Sequence, residues 1–392
     1  MDSNEITIDS IDLFMPPRSQ YGVLHHFTKK LGEALQRQGV ICRLLEAQKD
    51  NPKPFLDQIF NNPPDCTLSF NGLLPDDQGR FFCDMINIPH VACLVDSPNH
   101  FFDLVKTPLT IITCADRFFC DFFGSMQAQK VFFMPHAVEK ELETSEASLY
   151  DRPYDVVMLS SYIDYERIRR SWHQHYPAVL AKALDEAAEI TLSDQKTSYI
   201  EAFVQTLDRA CRKPNGPDPR TINFVETLDV LEDYIRGKDR MALLQSINDF
   251  KVDLFGFYES PLHLSKDNIV LHEAVPFTQA LEIMKKSKIV LNSCPTIKNG
   301  AHERIFAGIL SGALVITSEN PYLNENFQEG KDIVFYRHKK WDAVNEKIAQ
   351  YLAEEKERIQ IVKNGMRLVK QNHTWDQRAA KLIEYLGKVL QK

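Results

Sequence analysis

Paired cysteines are missing from this sequence. The eight thiols (Cys42, Cys66, Cys83, Cys93, Cys114, Cys120, Cys211 and Cys294) fall singly, with no CxxC spacing. That excludes a disulfide scaffold and a structural zinc site, and reads as reduced, mostly buried side chains. No apolar run approaches the roughly 18 residues a membrane span needs. The opening MDSNEITIDS is acidic where a signal peptide carries a basic region, so the expectation is a cytoplasmic chain without a transmembrane segment. Basic charge is also short: 46 Lys and Arg against 54 Asp and Glu leave a net charge of −8. Such a surface has no general affinity for nucleic acid or anionic membranes, and nucleic acid is not an expected partner. No repeat of solenoid period is visible.

What is there is an ordinary globular composition, with 44% hydrophobic and 26% charged residues. At roughly 100 to 200 residues per domain, 392 residues suggest two or three domains. The first third alternates strand-like runs (IDLFM, VICRLL, CTLSF, HVACLV, LTIITC, KVFFMP) with helical ones. This is the rhythm of a parallel sheet with crossover helices, an α/β fold. The helix from Tyr21 to Gln38 puts Leu24, Phe27, Leu31, Ala34 and Leu35 on one face and stops at Gly39. The charged, proline-containing stretch MPHAVEKELETSEASLYDRPYD reads as a linker. A second strand series follows: DVVML, VDLFGF, NIVLHEA, SKIVLNS, ALVITS and DIVFYR. Between its first two strands, residues from about 168 to 249 are helical in pattern, an insertion in the second domain. In the closing segment Thr374 and Gln377 form a capping box, and Ala379, Leu382, Ile383, Leu386 and Leu390 form an apolar stripe.

One stretch, KNGAHERIFAGILSGALVIT from Lys298 to Thr317, runs from a strand through an Asn-Gly turn into a helix. Ligands sit at such places in parallel α/β sheets, because helix N-terminal N–H groups lack partners there. Extended to LNSCPTIKNGAHERIFAGILSGALVITSENPYLNENF, this region resembles the core motif of the spore-maturation-type glycosyltransferases, a branch of the GT-B nucleotide-sugar transferases. Their pattern is an ERxF turn, a small-residue helix, G-A-hydrophobic-hydrophobic-T and NP. The similarity is strongest from about 250 to 390 and is supported by VPFTQALEIMKKSKIVLN and by VFFMPHAVEK, which is similar to their P-H-hydrophobic hinge. The first 130 or so residues agree only in element order.

The resemblance implies two Rossmann-like domains facing across a cleft. The first, 1–140, would hold the acceptor and be completed by a final helix, 374–392. The second, 150–373, would hold a nucleoside diphosphate sugar. It also implies diphosphate stabilisation by helix N-termini, hydroxyls and cations; no strand ends in the DxD pair with which the other major transferase fold holds a metal. The expectation is therefore a metal-independent hexosyltransferase-like enzyme with no cofactor beyond the nucleotide-sugar co-substrate. Its acceptor, a glycan, a protein or a small molecule, is not specified. Arg304 in the first helical turn is placed to fork onto phosphate oxygens, with Asn299, Gly300 and His302 around it and Glu303 accepting from hydroxyls. Ser160, Ser161 and Arg167, after the first strand of that domain, offer a second supply, although Arg167, Arg169 and Arg170 also read as a solvated face. Phe257, Tyr258, Val275 and Phe277 follow strands where a base could stack or where a core could be filled. Where many relatives carry a ribose-binding Glu one turn after Glu303, this chain has Ala307, so ribose recognition shifts to Glu303 or Glu319. For acceptor activation the candidates are Asp96, ending a buried-looking strand, and His25 or His26 in the first helix. Two other readings stay open: a nucleotide-sugar 2-epimerase of the same fold, and a non-catalytic nucleotide-sugar-binding scaffold.

Overall fold

The computed structural model describes residues 7–47, 51–213, 216–257 and 266–390. In chain order its elements are β1 (Ser10–Phe14), α1 (Val23–Arg37), β2 (Ile41–Leu45), α2 (Lys53–Asn61), β3 (Cys66–Phe70), α3 (Phe82–Ile86), β4 (His90–Leu94), β5 (Thr110–Cys114), α4 (Arg117–Ser125) and β6 (Val131–Phe133). There follow β7 (Tyr154–Leu159), the helical run α5 (Tyr165–His175), α6 (Ala178–Ser193), α7 (Tyr199–Cys211) and α8 (Phe224–Ser246), then β8 (Val252–Phe255) and β9 (Ile269–His272). The chain continues through α9 (Phe277–Lys285), β10 (Ser287–Asn292), α10 (Glu303–Leu310), β11 (Leu314–Ser318), α11 (Pro321–Asn326) and β12 (Val334–Tyr336), and ends in α12 (Asp342–Ala353), α13 (Glu355–Asn372) and α14 (Trp375–Val389). Two compact units result, Met1–Leu142 with Val369–Lys392, and Glu143–Leu368.

The first unit is built on a six-stranded sheet in the order β2-β1-β3-β4-β5-β6, every pair parallel. Residues of β3, β4 and β5 are buried throughout, the mark of a parallel sheet covered on both faces. Helix α1 buries Phe27, Leu31, Ala34 and Leu35 as its periodicity predicts, and adds Thr28 and Gly32. Helix α14 starts at the expected capping box, with the Thr374 amide donating to Gln377 Oε1 at 3.0 Å. It then sets Trp375 against Phe27 and Phe70, at ring separations of 5.3 and 5.9 Å. The segment read as a linker is partly structural: Arg378 donates to the carbonyls of Pro135 and His136, which buries Met134, Ala137 and Val138.

The second unit carries six parallel strands in the order β12-β11-β10-β7-β8-β9. Counted within the unit this is 3-2-1-4-5-6, the doubly wound order. Successive connections run to opposite sides of the β7/β10 pair, and in such sheets the crevice beyond the carboxyl ends at that switch point is where ligands bind. The whole helical insertion, α5 to α8, lies between β7 and β8.

Two buried histidines of the first unit make its stability depend on pH. His90 is enclosed between the hydroxyls of Thr67 and Ser69, with ring nitrogens 2.8 and 2.9 Å away, and burial pushes its pKa down to about 3. His373 is likewise down to about 3, through burial and then the adjacent Arg378 charge. Both stay neutral when folded, whereas the unfolded chain takes up protons below the ordinary value of about 6.5. Stability is therefore full above that pH and is lost as pH falls toward 3, by about 2 kcal/mol per histidine at pH 5. The apparent Tm should fall steeply between pH 7 and 5, and His90→Gln, less stable at pH 7, should show about half that slope. An unchanged slope in the variant would remove His90 from this account.

Candidate functional site

The switch point gathers the loops that leave β7 and β10, and the sequence motif lies in the second of them. Helix α10 begins directly after His302, and three side chains there form a chain of contacts. Arg304 Nη2 lies 3.0 Å from His302 Nε2, and His302 Nδ1 lies 2.6 Å from Glu303 Oε2. The consistent proton arrangement is a neutral imidazole that accepts from the guanidinium on Nε2 and donates to the carboxylate from Nδ1. With Nδ1 protonated toward Glu303, the 3.4 Å approach of the Arg304 amide to the same Nδ1 is a close contact and not a hydrogen bond. Arg304 Nη1 also donates to the carbonyl of Leu159, the last residue of β7, at 2.6 Å. One guanidinium thus links the exits of β7 and β10 at the N-terminus of a helix, where unpaired N–H groups and the helix dipole favour an anion.

The neighbouring groups are placed by packing. Gly300 is buried, and its carbonyl accepts from Asn320 Nδ2 at 3.0 Å; the same amide group reaches the Ile297 carbonyl at 3.1 Å. Asn299 is half-buried beside it. Lys298 is 1% exposed and donates to the Thr191 and Asp194 carbonyls at 2.7 and 2.8 Å, so it caps α6 and is a structural cation. In the β7 exit, the Ser160 amide donates to the Phe255 carbonyl and Ser161 Oγ accepts from the Phe257 amide. Glycine is required at 256, because a Cβ there would lie 2.2 Å from the Ser160 carbonyl oxygen. Arg167 is exposed on α5, its amide capped by Asp164, while Arg169 and Arg170 pair with Asp185 and Glu166.

The base and ribose candidates separate. Phe257 is 57% exposed at the end of β8. Val275 instead packs on Val157, Phe255 and Ile283, and Phe277 is buried at the start of α9, so both side chains fill the core. Tyr258 lies outside the described residues. Glu319 is occupied by Arg337 and Asn324, at 2.7 and 3.0 Å; burial raises its pKa, and these partners outweigh that and hold it low. Ala307 is buried.

In the first unit Asp96 is exposed after β4 and accepts from Asn71 Nδ2 at 2.6 Å. His25 is half-buried. His26 Nε2 meets Glu139 Oε1 at 3.0 Å, with side chains 14% and 10% exposed. Burial pushes the Glu139 pKa up, but the His26 hydrogen bond and charge outweigh it and leave the carboxyl lowered. Sequence reasoning missed Glu139, which it read as linker.

It also missed Asp239 and Arg240 on α8. Asp239 is fully buried and accepts from His338 Nδ1 and Trp341 Nε1, both at 2.8 Å, from Ser293 Oγ at 2.7 Å and from Tyr336 OH at 3.1 Å. Burial opposes ionisation, yet His338, Ser293 and Trp341 bring its pKa down to about 2. Arg240, 7% exposed, donates from Nη1 to the Ser161 carbonyl at 3.0 Å. The available signal was charge on the buried stripe of α8, where Leu228, Leu231 and Ile235 are followed by Asp239 and Arg240.

Residues 239–384 match the family described as glycosyl transferase-like. The matched segment is similar to that family, and the two six-stranded parallel sheets of the described residues have the GT-B architecture of the glycosyltransferase structures that the chain resembles. Among solved structures, HepE from Anabaena, in complex with UDP-glucose, is 12% identical over 96% of this chain and 99% of that one, with a TM-score of 0.51. AviGT4, a glycosyltransferase involved in avilamycin A biosynthesis, is 12% identical over 97% and 98%, at 0.52. An α-glucosyltransferase in complex with UDP-glucose and DNA containing an abasic site is 10% identical over 96% and 98%, at 0.55. No curated protein sequence matches the chain.

Removing the Asp239 carboxylate leaves three buried donors and the half-buried Trp341 Nε1 without their shared acceptor. Asp239→Ala should therefore destabilise the second unit by about 3 to 5 kcal/mol. Urea titration of the variant checks this, and a loss below about 1 kcal/mol would show the network to be dispensable.

Proposed function

We propose that the chain transfers a sugar from a nucleoside diphosphate sugar to an acceptor, as a member of the spore-maturation-type branch. The observation that carries this is Arg304, held at the N-terminus of α10 against the end of β7 at the switch point. That position suits a diphosphate leaving group, whose developing charge a preorganised guanidinium and helix N-terminus stabilise. Glu303, bridged to Arg304 through His302, would accept from sugar or ribose hydroxyls. Phe257 would stack on the base. The UDP-glucose in the HepE and α-glucosyltransferase structures supports a UDP-type donor. In the first unit His26 is favoured over Asp96 and His25 as acceptor base, because its Glu139 carboxylate partner fixes the orientation and tautomer of the imidazole. Asn299, Gly300, Ser160 and Ser161 would line the donor site.

Incubation with a panel of nucleotide sugars, reading released nucleotide, tests the reaction. Slow donor hydrolysis is the expected result. Free epimerised sugar would indicate the epimerase, and binding without turnover a scaffold. Arg304→Ala should weaken nucleoside diphosphate binding by about one to two orders of magnitude and leave free nucleoside nearly unchanged, since a charge-assisted bond contributes roughly 1.5 to 3 kcal/mol. Glu303→Gln should affect the intact donor or nucleoside more than inorganic pyrophosphate. A folded Arg304→Ala variant that binds diphosphate like wild type would make NGAHER a capped surface turn.

The cation supply at Arg304 also implies turnover without a divalent ion. Excess chelator should leave the rate within about twofold, whereas loss of a metal-assisted site removes several kcal/mol of transition-state stabilisation. A collapse restored by magnesium or manganese refutes it.

A further inference from the structure

The β7 exit loop is held by two guanidiniums from different elements. Arg304 of α10 takes the Leu159 carbonyl, and Arg240 of α8 takes the Ser161 carbonyl. The two are not equivalent. Arg240 is almost wholly buried, has no carboxylate in ion-pair contact among the described residues, and its Nε finds no acceptor there. A buried charge without a counterion and a buried donor without an acceptor are both costly, and natural sites keep them where function requires. Burial first, then the charges of Arg236 and Arg304, push the Arg240 pKa well below its ordinary value. The preceding residue completes the arrangement: Asp239 accepts from Ser293, the first residue beyond β10. Adjacent residues of one helix therefore grip the exits of both switch-point strands.

We infer that Arg240 is a positioning residue for the donor diphosphate, fixing the Ser160–Ser161 loop through the Ser161 carbonyl and adding a second positive charge beside the phosphates that Arg304 reads. This rests on the donor reading above and extends it to the helical insertion. Arg240 acts through the loop and through its field, as it lies too deep to touch the ligand. A staple of fold alone would tie up its donors on carbonyls, as Arg152 does by placing Nε, Nη1 and Nη2 on those of Ser148, Met284, Ser287 and Ser311.

The test titrates wild type, Arg240→Met and Arg240→Lys with UDP, inorganic pyrophosphate and uridine by calorimetry. In Arg240→Met, UDP and pyrophosphate should weaken by about 10- to 100-fold and uridine by less than about threefold; Arg240→Lys, which keeps the charge and loses the fork, should lose about 3- to 10-fold on UDP and pyrophosphate and leave uridine nearly unchanged. A folded Arg240→Met that binds UDP like wild type overturns the inference, as does equal weakening of UDP and uridine, which marks a purely structural role. If Arg240→Met does not fold, Arg240→Lys decides on the same comparison: selective loss on UDP supports the role, and equal loss or none overturns it. Wild-type protein that binds neither UDP nor pyrophosphate overturns the donor reading itself, a result distinct from failure of Arg240 alone.

Discussion

The second unit depends on one buried carboxylate. A carboxylate taken out of water loses hydration worth several kcal/mol even after relaxation, and only a full set of donors offsets that. Asp239 has four, contributed by the end of β10, the end of β12, the loop beyond it and the start of α12. Ser293 and the stretch from Tyr336 to Trp341 are far from each other and from Asp239 in sequence, and each would present unsatisfied polar groups without the shared acceptor. The doubly wound sheet brings them to one edge; Asp239 fixes how that edge is closed and docks the insertion's last helix onto it.

A second device recurs throughout the chain: buried cations bonded to backbone carbonyls. Lys298 caps α6, Arg152 joins the ends of α9 and α10, and Arg378 holds the segment after β6. Helix C-termini offer unpaired carbonyls and negative dipole ends, so a cation there needs no ligand to explain it. This bland explanation has to be weighed against function for Arg304 and Arg240 as well. Geometry separates them. Their carbonyl acceptors lie at and just beyond the carboxyl end of β7, at an edge populated by helix N-termini, where positive ends already converge. Adding cations to that edge increases repulsion, which is useful only if an anion comes.

Much of the fold was legible because burial on both faces leaves a strong record. The twelve strands among the described residues follow the apolar runs of the sequence, and the α14 start was visible in Thr374 and Gln377. Ser160, Ser161 and the residues from Asn299 to Arg304 could be singled out because strand-to-helix turns have a local signature. Long-range partners could not. Glu139 looked like linker because its pairing with His26 spans 113 positions, and Arg240 meets Ser161 across 79. Phe277 and Val275 show the converse error: an aromatic or apolar residue just after a strand is equally suited to core and ligand, and only packing decides.

The position of α8 gives the insertion a meaning beyond added surface. A helix of 23 residues spans about 35 Å, and a rigid rod of that length transmits a displacement of one end to the other. In its C-terminal half, Asp239 and Arg240 grip the two switch-point loops; at its start Phe224 rests on Phe203 of α7, and midway along it Trp172 of α5 packs on Tyr234. A change that tilts α8 against α5 and α7 would act on Ser161 and Ser293, which are hydrogen-bonded to α8 at 3.0 and 2.7 Å. The insertion is thereby tied to the switch-point edge, and a substitution in the α5–α7 packing would reach the proposed diphosphate site through the same two residues.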